Sequence, residues 1–474
     1  MTSVVLHDQI TNSTPNIVRI AIFGAGPAGF YSAEELLKHT SHSIQVDLFD
    51  RLPTPYGLVR GGVAPDHPKI KSVIKQYERI AQRPGFRFFG NVTFGIDLTL
   101  DEVLAHYHQV LFTTGAESDR HMDIPGEDLP GSYPATAFVG WYNGHPDFHH
   151  LHFNLSGTTS VVVIGNGNVA MDVTRILARS PNDLARTDIT SYALATLQQS
   201  TVKEIIVCGR RGPAQAAFTN PELRELTELR GADLIVHAKD LTLDAINQRF
   251  LATHASEPGH QRNLEILKAQ LLKGEGSESR KIRMRFFTSP VAILGRDRVE
   301  GIRLEHNALT IDAQGNFIAQ GTGRYEELPC QMVFRSIGYK GIPLPNVPFD
   351  KRKGVILNRD GRVIDPATNS PIPRLYVAGW IKRGPSGVIG TNKPDAAATV
   401  ASMTIDMEEH RFLPIWADPD SIPALLNRKG IRYVTFADWQ RIDNVEVANG
   451  QPVGKPREKL TTITAMLSAV RENT

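Results

Sequence analysis

The segment from Arg19 to Asp50 constrains the fold more than any other stretch of the chain. A short apolar run, Arg19-Ile-Ala-Ile-Phe23, predicts a buried parallel strand that stops at the turn Gly24-Ala-Gly-Pro-Ala-Gly29. A helix from about Phe30 to His39 follows, and a second apolar strand, Ile44 to Phe49, ends in Asp50. This order of elements is typical of a βαβ unit that binds a dinucleotide.

Each glycine of the turn has its own predicted role. Gly24 allows the tight turn, Gly26 lets backbone N–H groups approach a pyrophosphate, and Gly29 lets the helix pack closely on the strand. The N-terminal dipole of the helix then favours the phosphates, and Asp50 is expected to accept hydrogen bonds from ribose hydroxyls. The alternative is a glycine-rich turn of a sheet protein that binds no nucleotide.

Composition narrows the class of protein. The 474 residues predict two or three domains, and 52 basic against 50 acidic residues give no reason to expect a nucleic acid partner. A local basic patch for an acidic partner stays open. The two cysteines, Cys208 and Cys330, cannot supply a CxxC pair or an iron–sulfur ligand set, so we expect buried free thiols and no metal.

The first residues indicate where the protein works. Met1 to Ile17 contain Asp8 but neither Lys nor Arg, which fits neither a signal peptide nor a transit peptide. No apolar span of 18 residues follows. We therefore expect a mobile tail over residues 1–17 and a monomeric cytoplasmic protein that does not enter a membrane.

Two regions after Asp50 stand out. Residues Arg51 to Pro68 are too rich in Pro and Gly for a regular element, and a loop of this length in a compact domain is usually functional. A helix is predicted from Lys69 to Ala81. Near the C-terminus, a strand from Arg374 ends at Trp380, and a helix of small residues is expected from about Pro394, with its N-terminus near residues 387–389 facing a bound ring.

The strand, glycine turn and helix occur a second time. Ser160 to Ile164 leads into Gly165-Asn-Gly-Asn-Val-Ala170, with Ala170 at the helix-packing position. The next strand, Glu204 to Cys208, ends in Gly209-Arg210-Arg211-Gly212 instead of an acid. Two guanidinium groups at that corner match a 2′-phosphate, so the second site is predicted to bind NADP. The alternative is a pair of ordinary surface arginines.

Two nucleotide units in one chain suggest electron transfer between their ligands. The first, with an acid for a plain ribose and the late helix N-terminus, suits FAD, and the second suits NADPH. A reduced flavin carries negative charge near N1, which that helix start would stabilise. Trp380 either packs on the flavin or belongs to the core.

Several long motifs resemble the adrenodoxin reductase family, and most closely its bacterial NADPH–ferredoxin reductases. They are Tyr56-Gly-Leu-Val-Arg-Gly-Gly-Val-Ala-Pro-Asp-His-Pro68, Phe138-Val-Gly-Trp-Tyr-Asn143, Gly165-Asn-Gly-Asn-Val-Ala170, Gly209-Arg-Arg-Gly212 and Gly379-Trp-Ile-Lys-Arg-Gly-Pro-Ser-Gly-Val-Ile389. The likeness runs from Arg19 to Gly454-Lys-Pro-Arg-Glu-Lys459. It implies FAD contacts at Ala28, Asp50, Leu58, Thr93, Trp380, Gly387, Val388 and Ile389. It implies NADP contacts at Arg120, Asn166, Gly167, Asn168, Val169, Arg210, Arg211, Glu222 and Gly387.

The resemblance also implies a histidine and a glutamate near the flavin, which correspond to His67 and Glu225. From the residues alone, His67 between an Asp and a Pro is better explained as a loop-packing side chain. The chain departs from the family at Phe153-Asn-Leu-Ser156, where relatives tend to have Pro-Asp-Leu-Ser. If that position belongs to a network with the histidine, Asn154 keeps the hydrogen bonding and loses the charge.

These observations predict an α/β flavoprotein with two Rossmann-like units. Residues 1–155 and 336–474 would form a discontinuous FAD domain, with an NADP domain, 156–335, inserted between them. The predicted reaction passes hydride from NADPH to flavin N5 and then single electrons to an acidic ferredoxin, for example in support of a cytochrome P450. The alternatives are an NADPH-dependent oxidase, quinone reductase or monooxygenase, and a non-catalytic nucleotide sensor. A disulfide reductase is disfavoured because a redox cysteine pair is lacking.

Overall fold

The structure, a computed structural model, describes residues 17–39, 41–409, 415, 418 and 420–471. The predicted N-terminal tail lies outside these residues except for Ile17, which opens the first strand. No helix in these ranges is long and apolar enough to cross a lipid bilayer.

The first nucleotide unit is built on a seven-stranded sheet. Its strands, in spatial order, are Asn358–Arg359, Arg362–Ile364, Pro371–Val377, Gln109–Phe112, Ile17–Phe23, Ser43–Phe49 and Phe86–Phe89. The last five run parallel, and the first two form an antiparallel edge. The helices of this part of the chain are Pro27–Leu36, Leu58–Gly61, Pro68–Lys71, Ile74–Ala81, Leu100–His106, Trp380–Arg383, Asn392–Glu408, Ser421–Arg428, Phe436–Gly450 and Ile463–Arg471.

The second unit is built on a six-stranded sheet whose pairings are all parallel. Its strands, in spatial order, are Ser132–Pro134, Met332–Arg335, Ser160–Ile164, Glu204–Cys208, Arg280–Arg285 and Ala232–Ile235. Its helices are Ala135–Tyr142, Asn168–Ala178, Pro181–Leu184, Ser191–Gln198, Asn220–Thr227, Ala245–Thr253 and Pro258–Lys273. An antiparallel sheet of Thr288–Leu294, Gly301–Ile311 and Phe317–Pro329 adjoins it.

Short elements complete the chain. Ser118–Asp119 pairs with Tyr339–Lys340 in a two-stranded ribbon, which joins the two segments that connect the units. A second ribbon pairs Phe349–Asp350 with Val355–Ile356. The 3₁₀ turns are Pro213–Gln215, Ala238–Leu241, Ile389–Thr391 and Gln451–Val453.

Each large sheet is covered on both faces, which explains its nearly continuous apolar strands. Successive side chains of a strand point to opposite faces. In the first strand, Ile20 and Ile22 therefore pack in one buried cluster, while Ala21 and Phe23 pack in another. Val161 and Val162 are divided in the same way in the second sheet.

The α/β fold with two nucleotide-type sheets is confirmed, and the boundaries of smaller elements differ from prediction. The expected helix Lys69–Ala81 is two pieces, Pro68–Lys71 and Ile74–Ala81. Ser132–Pro134 pairs with the second sheet, and Phe138 packs in its core. We therefore propose that the inserted unit begins nearer residue 120 than the predicted 156, and that it ends near 336.

Candidate active site

The first glycine turn has the geometry that its sequence requires. Gly24 has a φ of +112°, and a Cβ there would overlap the carbonyl oxygen of Thr113. A Cβ at Gly29 would overlap the carbonyl oxygen of Gly24, so the helix packs as closely as predicted. The helix Pro27–Leu36 begins at Gly26 without a side-chain cap, which leaves its first amides able to bind a phosphate.

Asp50 joins the second strand to this turn. Its carboxylate accepts hydrogen bonds from the amides of Ala25, at 2.8 Å, and Leu52, at 2.9 Å. Burial raises the pKa of Asp50 to about 6, although both amides favour the charged form. Each carboxylate oxygen has a second lone pair, so the carboxylate retains capacity for ribose hydroxyls.

The second glycine turn repeats this geometry and also positions a neighbouring loop. Gly165 has a φ of +125°, and the helix Asn168–Ala178 begins at Gly167 without a side-chain cap. Asn168 Oδ1 accepts a hydrogen bond from the Thr219 amide at 2.8 Å. The carbonyl oxygen of Asn166 accepts hydrogen bonds from two further amides in the loop that contains Thr219. The turn therefore fixes the start of the helix Asn220–Thr227.

Arg210 and Arg211 form a positively charged corner beside this turn. Among the described residues, no carboxylate lies within 4 Å of either guanidinium group. Burial, reinforced by the charge of Arg210, lowers the pKa of Arg211. Two neighbouring cations without an acid partner among the described residues are the arrangement that the predicted 2′-phosphate contact requires.

The C-terminal motif faces the first glycine turn. Gly379 has a φ of +78°, and a Cβ there would lie 2.7 Å from the Cβ of Ala28. Leu58 and Val388 are 37% and 55% exposed. They fit an aromatic ring system that would cover them.

The helix after this motif begins at Asn392, later than residues 387–389 but close to the predicted Pro394. Its first turn contains Asp395, which accepts a hydrogen bond from the Gly379 amide at 2.6 Å and pairs with Lys382 at 3.0 Å. This acid already occupies part of the positive end of the helix. Trp380 lies 5.5 Å from the ring of Tyr339 and donates from Nε1 to Ser386 O.

A cluster of charged side chains lies where the two units meet. His67 Nε2 and Glu225 Oε2 are 2.7 Å apart. Beside them, Arg175 is 1% exposed and binds Asp66 and Asp172, each at 2.7 Å, and Glu222 at 3.0 Å. Loop residues of the first unit thus contact two helices of the second.

The cluster holds more carboxylates than guanidinium groups, and the pKa values of these carboxylates are shifted in opposite directions. Burial opposes ionisation of Asp66, but the hydrogen bonds from Arg175 and the charges of Arg175 and Arg179 together outweigh it and lower the pKa of Asp66 to about 2. Burial, joined by repulsion from Asp172, raises the pKa of Glu222 to about 7. Glu222 therefore gains or loses a proton near neutral pH.

His67, Glu222 and Glu225 also present ligand atoms within 4.8 Å of one another. Arg175 Nη1 lies 3.0 Å from Glu222 and 3.3 Å from Glu225. A guanidinium group thus already supplies the cation for both carboxylates.

Comparison with known proteins identifies the family. The model of the pyridine nucleotide-disulphide oxidoreductase family matches residues 18–203. The NADPH-ferredoxin reductase FprA of Mycobacterium leprae is 45% identical over 95% of this chain and 98% of its own length. The mitochondrial NADPH:adrenodoxin oxidoreductase of Homo sapiens is 43% identical over 97% of this chain and 93% of its own. The chain belongs to the adrenodoxin reductase family. The structure of Mycobacterium tuberculosis FprA in complex with NADPH matches with a TM-score of 0.89 and 44% identity, over 96% of this chain and 99% of that one.

Membership of the adrenodoxin reductase family supports its residue pattern as a prediction for this chain. His67 and Glu225 are brought together, and Glu222 joins them. Arg120 lies on the connecting ribbon and donates its amide to Gly338 O at 3.2 Å. Thr93 donates its amide to Asp97 at 2.7 Å. Their contacts with cofactors stay predictions.

Asn154 does not join the cluster. It is exposed, and its Oδ1 accepts only from Ser156 and Gly157 within a turn. That turn precedes the strand Ser160–Ile164, whereas the nucleotide turn follows it, so the strand separates the two. The expected network with His67 is wrong, and we withdraw Asn154 as a catalytic candidate.

The sequence prediction missed Arg175, Asp66 and Asp172. Asp172 and Arg175 lie three residues apart in an otherwise apolar helix, Asn168–Ala178. Charges at that spacing on a buried helix indicate a partner from another element.

Proposed function

We propose that this chain is an FAD-dependent NADPH–ferredoxin oxidoreductase. One observation carries the proposal: two complete glycine-turn units meet at one charged junction. The second strand of the first unit is followed by Asp50, and the corresponding strand of the other unit is followed by Arg210 and Arg211, which have no acidic partner among the described residues. The near full-length likeness to reductases named for NADPH and ferredoxin supports it.

The residues present fit both cofactors. The uncapped helix at Gly26, the acceptor Asp50 and the exposed Leu58 and Val388 would hold FAD, through phosphates, ribose and ring respectively. The uncapped helix at Gly167 and the two arginines would hold NADPH. Bound FAD would accept a hydride and release single electrons, which lets a two-electron donor serve a one-electron acceptor.

The chain's own residues would orient the bound cofactors and hold a proton near them. Hydride transfer needs no protein acid or base, so the pair of His67 and Glu225 would hold the loop and the nicotinamide in register. Glu222, with its pKa raised to about 7 by burial and by Asp172, would hold or release a proton beside His67.

The proposed partner is an acidic ferredoxin, which needs a basic surface near the flavin. Arg224, Arg230, Arg262 and Lys268 are exposed, and no described carboxylate lies within 4 Å of their charged groups. Arg224 lies on the helix Asn220–Thr227 that also carries Glu225 to His67. We propose this surface for docking, and a monomeric protein in a reducing cytoplasm, in keeping with its two buried free thiols.

The proposal is tested by anaerobic titration of the purified protein with NADPH and NADH, followed by a ferredoxin. We expect yellow protein that is bleached by NADPH at far lower concentration than by NADH and then reduces the ferredoxin. Equal response to both nucleotides contradicts the assignment of the arginines. Bleaching without onward transfer indicates an oxidase, quinone reductase or monooxygenase, and tight binding without turnover indicates a sensor.

Docking is tested separately with Arg224→Glu and Arg262→Glu. Opposite charge on the reductase should raise the KM for ferredoxin, most strongly at low salt, and leave flavin reduction by NADPH unchanged. Arg303→Glu, which alters an arginine that is paired with Glu327 on the antiparallel sheet, is the control. An unchanged KM removes Arg224 and Arg262 from the docking surface.

A further inference from the structure

A second group of charges crosses the junction between the units, away from His67. Lys71 Nζ lies 2.7 Å from both carboxylate oxygens of Asp188, and Lys459 Nζ lies 3.2 Å from one of them. The side chains of Lys71, Asp188 and Lys459 are 12%, 11% and 1% exposed. Asp188 belongs to the inserted unit, and the two lysines belong to the other.

Lys459 has two further acceptors. Its Nζ donates to the carbonyl oxygen of Arg60 and to Asn143 Oδ1, each at 3.3 Å. Arg60 lies near the start of the loop that carries His67, and Lys71 ends the short helix that follows His67. One buried ammonium group, together with Asp188, therefore ties both ends of that loop to the inserted unit.

Protonation decides how many of these contacts Lys459 can make. An ammonium group has three N–H donors for three acceptors, whereas a neutral amine has only two. The charged groups that face it are Asp188, Lys71 and Arg60, and Arg60 is paired with Glu446 at 2.9 Å. Burial lowers the pKa of Lys459 to about 7, and the charge of Lys71 acts in the same direction against the attraction of Asp188.

We propose that Lys459 is a positioning residue that holds the loop from Gly57 to Lys71, and with it His67, in register with Glu225, and that it does so fully only as an ammonium group. The inference rests on the proposed function, because the register of His67 matters for hydride transfer from NADPH to the flavin. It adds a residue from the C-terminal segment that the reaction itself never touches.

The test is anaerobic stopped-flow reduction of the flavin by NADPH from pH 6 to pH 9. Lys459→Met keeps the length of the side chain and removes its donors, and we expect the limiting rate to fall about tenfold, since small misplacements are costly in such steps. Its thermal midpoint should not fall, because Asp188 keeps Lys71 and a buried charge has been removed. Lys459→Arg stays charged, so it should retain the rate and decline less above pH 7 than the wild type, in which Glu222 contributes the remainder of the decline.

Lys455→Met is the matched control. Lys455 lies in the same segment, is equally buried and bonds only Ser191 and Glu458 in the described structure, so its rate should equal that of the wild type. A wild-type rate in Lys459→Met, an equal loss in Lys455→Met, or a decline above pH 7 that is as steep in Lys459→Arg as in the wild type would each overturn the inference. Failure of NADPH to reduce the wild type would instead overturn the proposed function.

Discussion

Replacement of Arg175 by Met should destabilise the inserted unit strongly, and more strongly at pH 8 than at pH 5. Arg175 is 1% exposed and binds Asp66, Asp172 and Glu222 at 3.0 Å or less. Removing one partner of a buried ion pair typically costs about 3–5 kcal/mol. The lowered pKa of Asp66, about 2 against an ordinary 3.8, by itself corresponds to about 2 kcal/mol at neutral pH.

The sign of the pH dependence follows from the same pKa values. In the wild type, the stability from Asp66 is present above pH 3.8 and is lost as the pH falls towards 2. Without Arg175, the carboxylates of the cluster face one another and their pKa values rise. The variant should therefore gain stability, relative to the wild type, as the pH falls from 8 to 5.

Thermal unfolding at pH 5, 6.5 and 8 measures both effects, and we expect a midpoint about 10 °C lower at pH 8 for a unit of this size. Arg179→Met is the matched control, because Arg179 also binds Asp66, at 2.8 Å, but is 32% exposed. Its loss should cost about 1 kcal/mol or less. Equal losses in the two variants, or a loss in Arg175→Met that does not change with pH, would refute this reasoning.

Three further predictions concern the second nucleotide site. Replacing Arg210 and Arg211 by Gln should weaken NADPH binding about 100-fold, as two partly exposed charge-assisted contacts of about 1.5 kcal/mol imply, and leave NADH binding unchanged; an equal loss for both nucleotides would disprove the 2′-phosphate assignment. Gly165→Ala should lower the thermal midpoint, because Gly165 has a φ of +125° that alanine rarely adopts. Gly167→Ala should keep the wild-type midpoint, because nothing lies within 4 Å of the added methyl group, but it should weaken NADPH binding. Calorimetry measures the first effect and titration with NADPH the second. Glu222 has a pKa raised to about 7 by burial and ionises as the pH rises, so affinity for NADP⁺, whose nicotinamide ring is cationic, should increase relative to NADPH above pH 7 in the wild type and stay constant in Glu222→Gln. A parallel increase in the variant would assign the titration to another group.

Local sequence patterns predicted the parts of this structure that are local. Gly24 and Gly165 lie in tight turns because a short segment decides their backbone conformation. The strands Ser160–Ile164 and Glu204–Cys208 match their predicted bounds, since buried parallel strands are continuous apolar runs. Element boundaries in the loop region were less predictable, because Ser72 and Val73 interrupt a helix without a Gly or Pro to mark the break.

Contacts between distant segments could not be read from spacing. His67 and Glu225 were paired only through the family resemblance, and the ring of carboxylates around Arg175 was missed because its members come from three separate elements. Asn154 shows the converse error. A departure from a family pattern suggested a network, but the residue lies in a turn before the strand Ser160–Ile164, whereas the nucleotide turn follows that strand.

The ion pairs that cross the junction explain how two separately packed units can hold one site. The large buried clusters lie within one unit or the other, so apolar packing fixes each sheet and not their relative orientation. Ion pairs between the units lie on several sides of His67, including Arg51 with Asp147 at 2.8 Å and Lys71 with Asp188 at 2.7 Å. Apolar contact is non-directional, whereas charge pairs are satisfied at only one register. The distance between His67 and Glu225 is therefore set by pairs that take no part in the chemistry, and partly exposed ones such as Arg51 with Asp147 make that register sensitive to salt.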